Sequence, residues 1–300
     1  MRNQNKAYIL GLAAVVLWST VASAFKLSLR YVDHLQLLFY SSLFSTFVLG
    51  GVLVARGKLR QAFSSTRRDY VRSFGLGFLN PFLYYLILFK AYDLLPAQEA
   101  QPLNYTWGLT LPLLSVPLLK QRMGPRDVVA LLLGYCGVVV ISTHGNVLGF
   151  RLTDPLGVTL AVGSAFIWAL FWIYNTKDRR DPVVCLFLGF LFSLPLTFGV
   201  CGLFSDLGVS HVYGLLGAVY AGTFEMSVTF VLWLLAMRLS ENAAKVTILI
   251  FASPFLSLVF IRFIVGETIL RSTLVGLVFI VAGLVLQKTG SREPAETVSS

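Results

Sequence analysis

Charge is scarce in this sequence. Its 300 residues carry 24 Lys and Arg and 14 Asp and Glu, 13% of the chain, against 56% hydrophobic residues. One soluble core cannot hide that much apolar surface, so the chain is expected to be an integral membrane protein. Cysteine and histidine are rare as well. Cys136, Cys185 and Cys201 stand singly inside apolar runs, without metal-ligand spacing, and read as small packing residues. His34, His144 and His211 fall in loops or at span ends and read as solvated. The sequence also lacks a GxxxxGK[ST] loop for ATP, a His-Glu-x-x-His pair, paired aspartates and a nucleophile with a base. It is therefore expected to be no enzyme, to use no cofactor or metal, and to draw no energy from ATP.

What the sequence does have is long apolar runs. A bilayer core needs roughly 20 mainly apolar residues per helix. Runs near 7–25, 34–55, 73–92, 98–119, 127–143, 155–176, 183–203, 212–236, 243–262 and 272–288 predict ten transmembrane helices. The Lys and Arg alternate by loop. With the N-terminus inside, eighteen fall on one side, and six (Lys26, Arg30, Lys90, Arg151, Arg262 and Arg271) on the other. Cytoplasmic loops carry such an excess, so both termini are expected in the cytoplasm. The net charge of +10 then reflects topology and not a nucleic-acid partner. The N-terminal run ending in Ala22-Ser23-Ala24 resembles a signal peptide but is long for one, and reads as an uncleaved first span. The tail "TGSREPAETVSS" is polar and is expected to be disordered.

Sliding the first half over the second aligns "AYDLLPAQEA" (91–100) with "AMRLSENAAK" (236–245), and "ALLLGYCGVVVI" (130–141) with "GLVFIVAGLVLQ" (276–287). Trp18 and Trp168 sit near the middle of the first and sixth spans. The chain is therefore read as a duplication, residues 1–146 and 147–288, with residues 289–300 as the tail. Five spans per half is an odd number, so the two copies enter the membrane in opposite orientations. Such inverted repeats bind substrate near the midplane and expose it alternately to either side. Pro81, Pro112, Pro117, Pro195 and Pro254 lie in mid-span, where they suit bending helices or simple packing kinks.

Aromatic and polar residues in mid-span need partners that lipid cannot supply. Ser164, Trp168, Trp172 and Asn175 share one helical stripe; Asn104, Trp107, Gly108 and Leu111 share another. Asn80 and Tyr84 are one turn apart, and the duplication sets them against Glu225 and Thr229. Together they predict a midplane cavity walled by Trp18, Tyr84, Tyr105, Trp107 and Trp168, with amides from Asn80, Asn104 and Asn175. Hydrogen-bonded helix packing is the rival reading. Every basic residue lies near a span end or in a loop, which disfavours phosphorylated cargo.

Glu225 sits in mid-span, where a bare carboxylate costs several kcal/mol. It reads as a proton-coupling group or a cation site, with a protonated structural acid as the alternative. Glu99 and Glu267, near span ends, read as capping or loop-pairing groups. Ala130, Gly134, Gly137, Gly276 and Gly283 read as close-packing faces that join either the halves or the subunits of a homodimer. Pro81, Gly108 and Pro254 are the expected hinge points.

"VVLWST" in the first span, "NYTWG" in the fourth, "AFIWALFWIYNTK" in the sixth, "FASPFLS" in the ninth and Gly266-Glu267 together resemble the ten-helix EamA branch of the drug/metabolite transporter superfamily. The likeness covers the chain apart from its tail and is nearest to YddG-type exporters of aromatic and other amino acids. It implies a multi-pass carrier of the bacterial inner membrane, secondary or facilitative, that exports neutral amino acids and similar small metabolites by alternating access. One departure stands out. The family motif in the fourth span ends in proline, and Gly108 stands there instead. The rivals are a proton-coupled exporter of cationic amphiphilic drugs, an intramembrane enzyme and a membrane scaffold.

Overall fold

The computed structural model describes residues 3–120, 123–149, 152, 154–175, 177–240, 246 and 248–290. The expected tail from residue 291 onward, and residues 241–245, which include the start of the expected ninth span, lie outside them. The regular elements among the described residues are all helices, without a strand.

Among the described residues, seven helices are long and apolar enough to cross a membrane. They are α1 (Gln4–Ser28), α2 (His34–Ala55), the run Arg67–Leu94, α8 (Pro125–Ser142), α9 (Pro155–Asn175), α10 (Pro182–Phe204) and the run Val212–Met237. These fall on the first, second, third, fifth, sixth, seventh and eighth expected spans. The short helix α3 (Leu59–Phe63) links the second span to the third. Local chemistry sets the starts. Asp33 caps α2 by accepting from the Leu35 and Gln36 amides, at 2.7 and 3.0 Å, while Gln36 accepts in return from the Asp33 amide. Asp181 caps α10 through the Val183 amide at 2.9 Å, with Pro182 in the first turn, where its missing N–H costs nothing.

The fourth expected span is broken. α6 (Ala97–Tyr105) and α7 (Trp107–Leu119) meet at Thr106. Its hydroxyl donates to the Leu103 carbonyl at 2.7 Å, while Thr110 donates its own hydroxyl to the Thr106 carbonyl at 2.9 Å. The described part of the ninth span is also composite. A 3₁₀ turn (Ile248–Ala252) leads into α13 (Ser253–Phe260) and a π turn (Ile261–Val265). Gly266 ends it at φ 84°, a left-handed conformation that suits glycine. The tenth is α14 (Arg271–Gly290).

The long runs are interrupted too. In the third span, α4 (Arg67–Gly77) passes through a π segment (Phe78–Leu83) into α5 (Tyr84–Leu94). In the eighth, α11 (Val212–Tyr220) passes through a π segment (Ala221–Val228) into α12 (Thr229–Leu239). The two segments end at Leu83 and Val228, the same sequence offset that aligns Ala91 with Ala236. Hydroxyls satisfy carbonyls loosened by the wider turn. Ser227 donates to the Gly222 carbonyl at 2.7 Å and Thr229 to that of Phe224.

Helices α8 and α14 pack backbone to backbone. A Cβ added at Gly137 would lie 2.4 Å from the Gly276 carbonyl oxygen, and one at Gly283 would lie 2.6 Å from that of Ala130. These small-residue faces therefore join the two halves of one chain, and the expectation that they serve a subunit interface is set aside. Cys185 and Cys201 are buried in α10, while Cys136 lies exposed on α8; all three are free thiols.

Candidate functional site

A cavity of about 450 Å³ lies between the halves. That is within the roughly 300–1,000 Å³ of small-molecule sites. Both halves wall it: Trp18 and Phe25 from α1, Tyr84 and Tyr92 from α5, Gln101, Asn104 and Tyr105 from α6, and Trp107 from α7 on one side; Trp168 and Trp172 from α9, Glu225 from the second π segment, and Trp233 from α12 on the other. The Trp168 ring stands 4.5 Å from Tyr84, 6.1 Å from Trp172 and 5.7 Å from Phe230, centre to centre. Phe230 also meets Trp18 edge-on at 5.8 Å, and Trp18 meets Trp233 at 5.4 Å. The walls are thus one connected aromatic shell, suited to flat apolar groups.

Two polar arrangements are set into that shell. Tyr84 Oη donates to Asn104 Oδ1 at 3.2 Å, Asn104 Nδ2 donates to Ser164 Oγ at 2.9 Å, and Ser164 donates to the Ala161 carbonyl at 2.6 Å. This chain fixes the Asn104 amide across α5, α6 and α9. In the second, the fully buried Tyr85 donates its hydroxyl to Glu225 Oε1 at 3.1 Å. Glu225 Oε2 is buried without a hydrogen-bond partner, and the Trp18 indole N–H is the donor nearest to this carboxyl group besides Tyr85.

At one end, residues of both halves close the cavity. Phe25 packs on Phe89 and Tyr92 at 4.7 and 5.4 Å. Lys26 Nζ donates to the Tyr92 and Leu95 carbonyls, both at 2.8 Å, at the end of α5. Pro96, at the start of α6, has no side chain to cap it, so the Glu267 carboxylate does so by accepting from the Ala97 and Gln98 amides at 2.8 and 3.1 Å. Gln98 returns the link by donating to the Thr268 carbonyl at 2.9 Å. The capping role expected of Glu267 is what the geometry displays. Fully buried Glu99 pairs with His144 Nε2 at 2.6 Å, so His144 is not the merely solvated residue expected. The sequence hid this pair because its members are far apart in the chain.

Toward the other end the walls continue to Leu119 and Ile173, near the ends of α7 and α9 that lead into Lys120 and Lys177. A charged clamp lies beyond α9. Asp178 pairs with Arg180 at 2.6 Å and with Arg72 at 3.5 Å, and Asp181 with Lys58 at 2.6 Å. Burial pushes the Asp178 and Asp181 carboxyls up, but hydrogen bonds and charge from Arg180 and Lys58 outweigh it and hold both below the usual range.

Seven of the expected residues come together at the cavity: Trp18, Tyr84, Asn104, Tyr105, Trp107, Trp168 and Glu225. Asn80 and Asn175 do not line it. Asn80 has non-helical backbone angles (φ −147°, ψ 118°), so the one-turn relation to Tyr84 assumed from spacing does not hold; it is buried with its backbone against Gly189 of α10. Asn175 is the last residue of α9. Thr229, its hydroxyl spent on Phe224, is off the cavity as well.

The expected hinge residues are placed as follows. Pro81 lies inside the first π segment, and Pro254 in the first turn of α13, where it starts a helix instead of bending one. Gly108 is helical, and a Cβ there would come within 2.5 Å of Leu284; the break lies two residues earlier, at Thr106. Sequence reasoning missed Tyr85, Gln101, Tyr92 and Trp233. Two carried a usable signal: Gln101 is one turn before Asn104, and Trp233 two turns after Glu225.

Among the described residues no group of three His, Cys, Asp or Glu is placed to hold a metal. Comparison with known proteins matches the profile of the EamA-like transporter family twice, over residues 5–143 and 155–287. The aromatic amino acid exporter YddG of Ancylobacter novellus is 26% identical over 258 residues, covering 85% of this chain and 87% of that one. An uncharacterized transporter of Archaeoglobus fulgidus is 22% identical over 94% of this chain and 97% of its own. A solved crystal structure superposes with a TM-score of 0.67 over 96% of this chain and 98% of that chain; at 23% identity it shows a shared fold. With nearly the whole chain matched by two copies of one profile, this multi-pass membrane protein belongs to the EamA-like transporter family.

Proposed function

We propose that this protein is a secondary or facilitative exporter of aromatic and other neutral amino acids and similar small metabolites, working by alternating access. The observation that carries the reading is the aromatic cavity shared between the halves. A flat side chain fits among Trp168, Tyr84 and Trp18, and the Asn104 amide, held by Tyr84 and Ser164, offers a fixed polar contact. The similarity to an aromatic amino acid exporter points the same way.

The architecture that goes with it is ten spans in two inverted repeats, 1–146 and 147–288, with both termini in the cytoplasm of an inner-membrane protein. The twofold profile match, the π segments at one sequence offset and the eighteen-to-six split of basic residues support it. The substrate-contacting set is Trp18, Tyr84, Asn104, Tyr105, Trp107 and Trp168.

Proteoliposomes carrying wild type or Trp168→Ala, assayed with a panel of radiolabelled amino acids, test the proposal. Saturable flux of at least one aromatic amino acid in wild type, reduced at least tenfold in the variant, is the expected result. Flux no greater than in empty liposomes, with or without a pH gradient, sinks it. The rival of proton-coupled drug export predicts instead competition by hydrophobic cations alone.

A further inference from the structure

Taken one step further, the carrier reading leads to the charge of the cargo. Of the described side chains lining the cavity, one is acidic, Glu225, and none is Lys, Arg or His. Lys26 stands next to Phe25 in sequence, but its ammonium is committed to the Tyr92 and Leu95 carbonyls. A zwitterionic amino acid would therefore find a partner for its ammonium and no cation for its carboxylate.

The unmatched polar atoms tell the same story. Three side chains of the wall hold a buried polar atom without a hydrogen-bond partner: Glu225 Oε2, Gln101 Oε1 and Trp172 Nε1. Two are acceptors and one is a donor. An ammonium brings three donors and a carboxylate brings acceptors only. The two acceptors, Glu225 Oε2 and Gln101 Oε1, are what an ammonium can fill, while Trp172 Nε1 is left for an acceptor. Tyr85, donating to Oε1, holds the Glu225 carboxyl group in place and leaves Oε2 for the cargo. The faces of Trp18 and Trp168 add attraction for a cation through their ring quadrupoles. An unpaired carboxylate at this depth is costly, and a bound ammonium removes that cost.

We infer that Glu225, with Gln101, receives the ammonium group of the cargo, and that aromatic primary amines are carried in preference to the amino acids that differ from them by a carboxylate. The experiment compares three indole compounds in proteoliposomes at pH 6.5, with flux into empty liposomes subtracted: tryptamine, tryptophan and indole-3-propionate. For wild type the expected kcat/KM is at least tenfold higher for tryptamine than for tryptophan, with no saturable flux of indole-3-propionate. In Glu225→Gln the tryptamine-to-tryptophan ratio falls to within threefold of unity, and Glu225→Asp keeps most of the preference. Tryptophan carried as well as or better than tryptamine by wild type overturns the inference while leaving the carrier reading intact, and this arm needs no variant to fold. A ratio unchanged in a monodisperse Glu225→Gln removes Glu225 from the role. Flux of none of the three overturns the carrier reading and this inference together.

Discussion

At the scale of single residues, the acids Glu225, Glu99 and Asp181 are each held by a partner from a distant part of the chain. Glu225 could be singled out in the sequence because an acid in mid-span is expensive. Tyr85, which donates to it, could not, because the bond joins residues 140 positions apart. The same holds for Glu99 with His144, and for Asp181 with Lys58. The last pair supports a prediction with a definite sign. Asp181 is held below its ordinary value of 3.8 when folded, with Lys58 outweighing burial. Its stabilisation is therefore present in full above that value and is lost as pH falls through the lower folded one. Asp181→Asn keeps one oxygen to cap α10 and removes the charge together with the oxygen that accepts from Lys58. Because Lys58 is partly exposed, screening limits the loss at pH 7 to about 0.5–1 kcal/mol. Unfolding midpoints in detergent are expected to be lower for the variant at pH 7, with the gap narrowing as pH falls below 3.8. A gap that has not narrowed at all by pH 3 would show that the ion pair is not its source.

At the scale of elements, apolar length was legible and interruption was not. Hydropathy located the long runs, since it reports how much of a segment avoids water. It could not locate the break at Thr106, because there a side-chain hydroxyl takes a backbone carbonyl and no glycine or proline stands at the junction. Gly108 drew attention for its freedom, and in the structure it lies inside α7 with the end of the Leu284 side chain where a Cβ would stand. The second π segment was invisible for a related reason, since Ser227 and Thr229 satisfy loosened carbonyls with ordinary hydroxyls, whereas the first carries Pro81, an expected hinge. Small-residue faces, by contrast, were read correctly as packing faces, with their partner left open. Their closeness is testable. Gly137→Ala places a Cβ 2.4 Å from a carbonyl oxygen of α14, so the helices must separate. Overpacking of this kind costs about 1–3 kcal/mol. Gly163→Ala, with open space around it, is the control and is expected to leave the unfolding midpoint unchanged or slightly raised. Equal midpoints for the two variants would mean that α8 and α14 do not touch at these glycines.

At the scale of the whole molecule, the two ends of the cavity differ in kind. One end is closed by aromatic packing and by Lys26, Glu267 and Gln98, groups that tie α1, α5 and α6 to the segment before α14. Toward the other, the walls run down α7 to Leu119 and down α9 to Ile173, beside the loops rich in Lys and Arg. On the alternating-access reading proposed above, cargo enters this arrangement from the basic-loop side, and release on the opposite side requires the Glu267 links to break. Cysteine accessibility tests this directly. With the exposed Cys136 replaced by serine, Leu111→Cys puts one thiol on the cavity wall. A membrane-impermeant maleimide is expected to label it at least tenfold faster from the basic-loop side than from the other. Adding Glu267→Ala removes the cap on α6 and the tie to α14, which is expected to raise labelling from the opposite side several-fold. If Leu111→Cys reacts equally from both sides, or if Glu267→Ala changes neither rate, the ties at the closed end do not act as a gate. A tie between halves that can be loosened at one carboxylate is what alternating exposure of a central cavity requires.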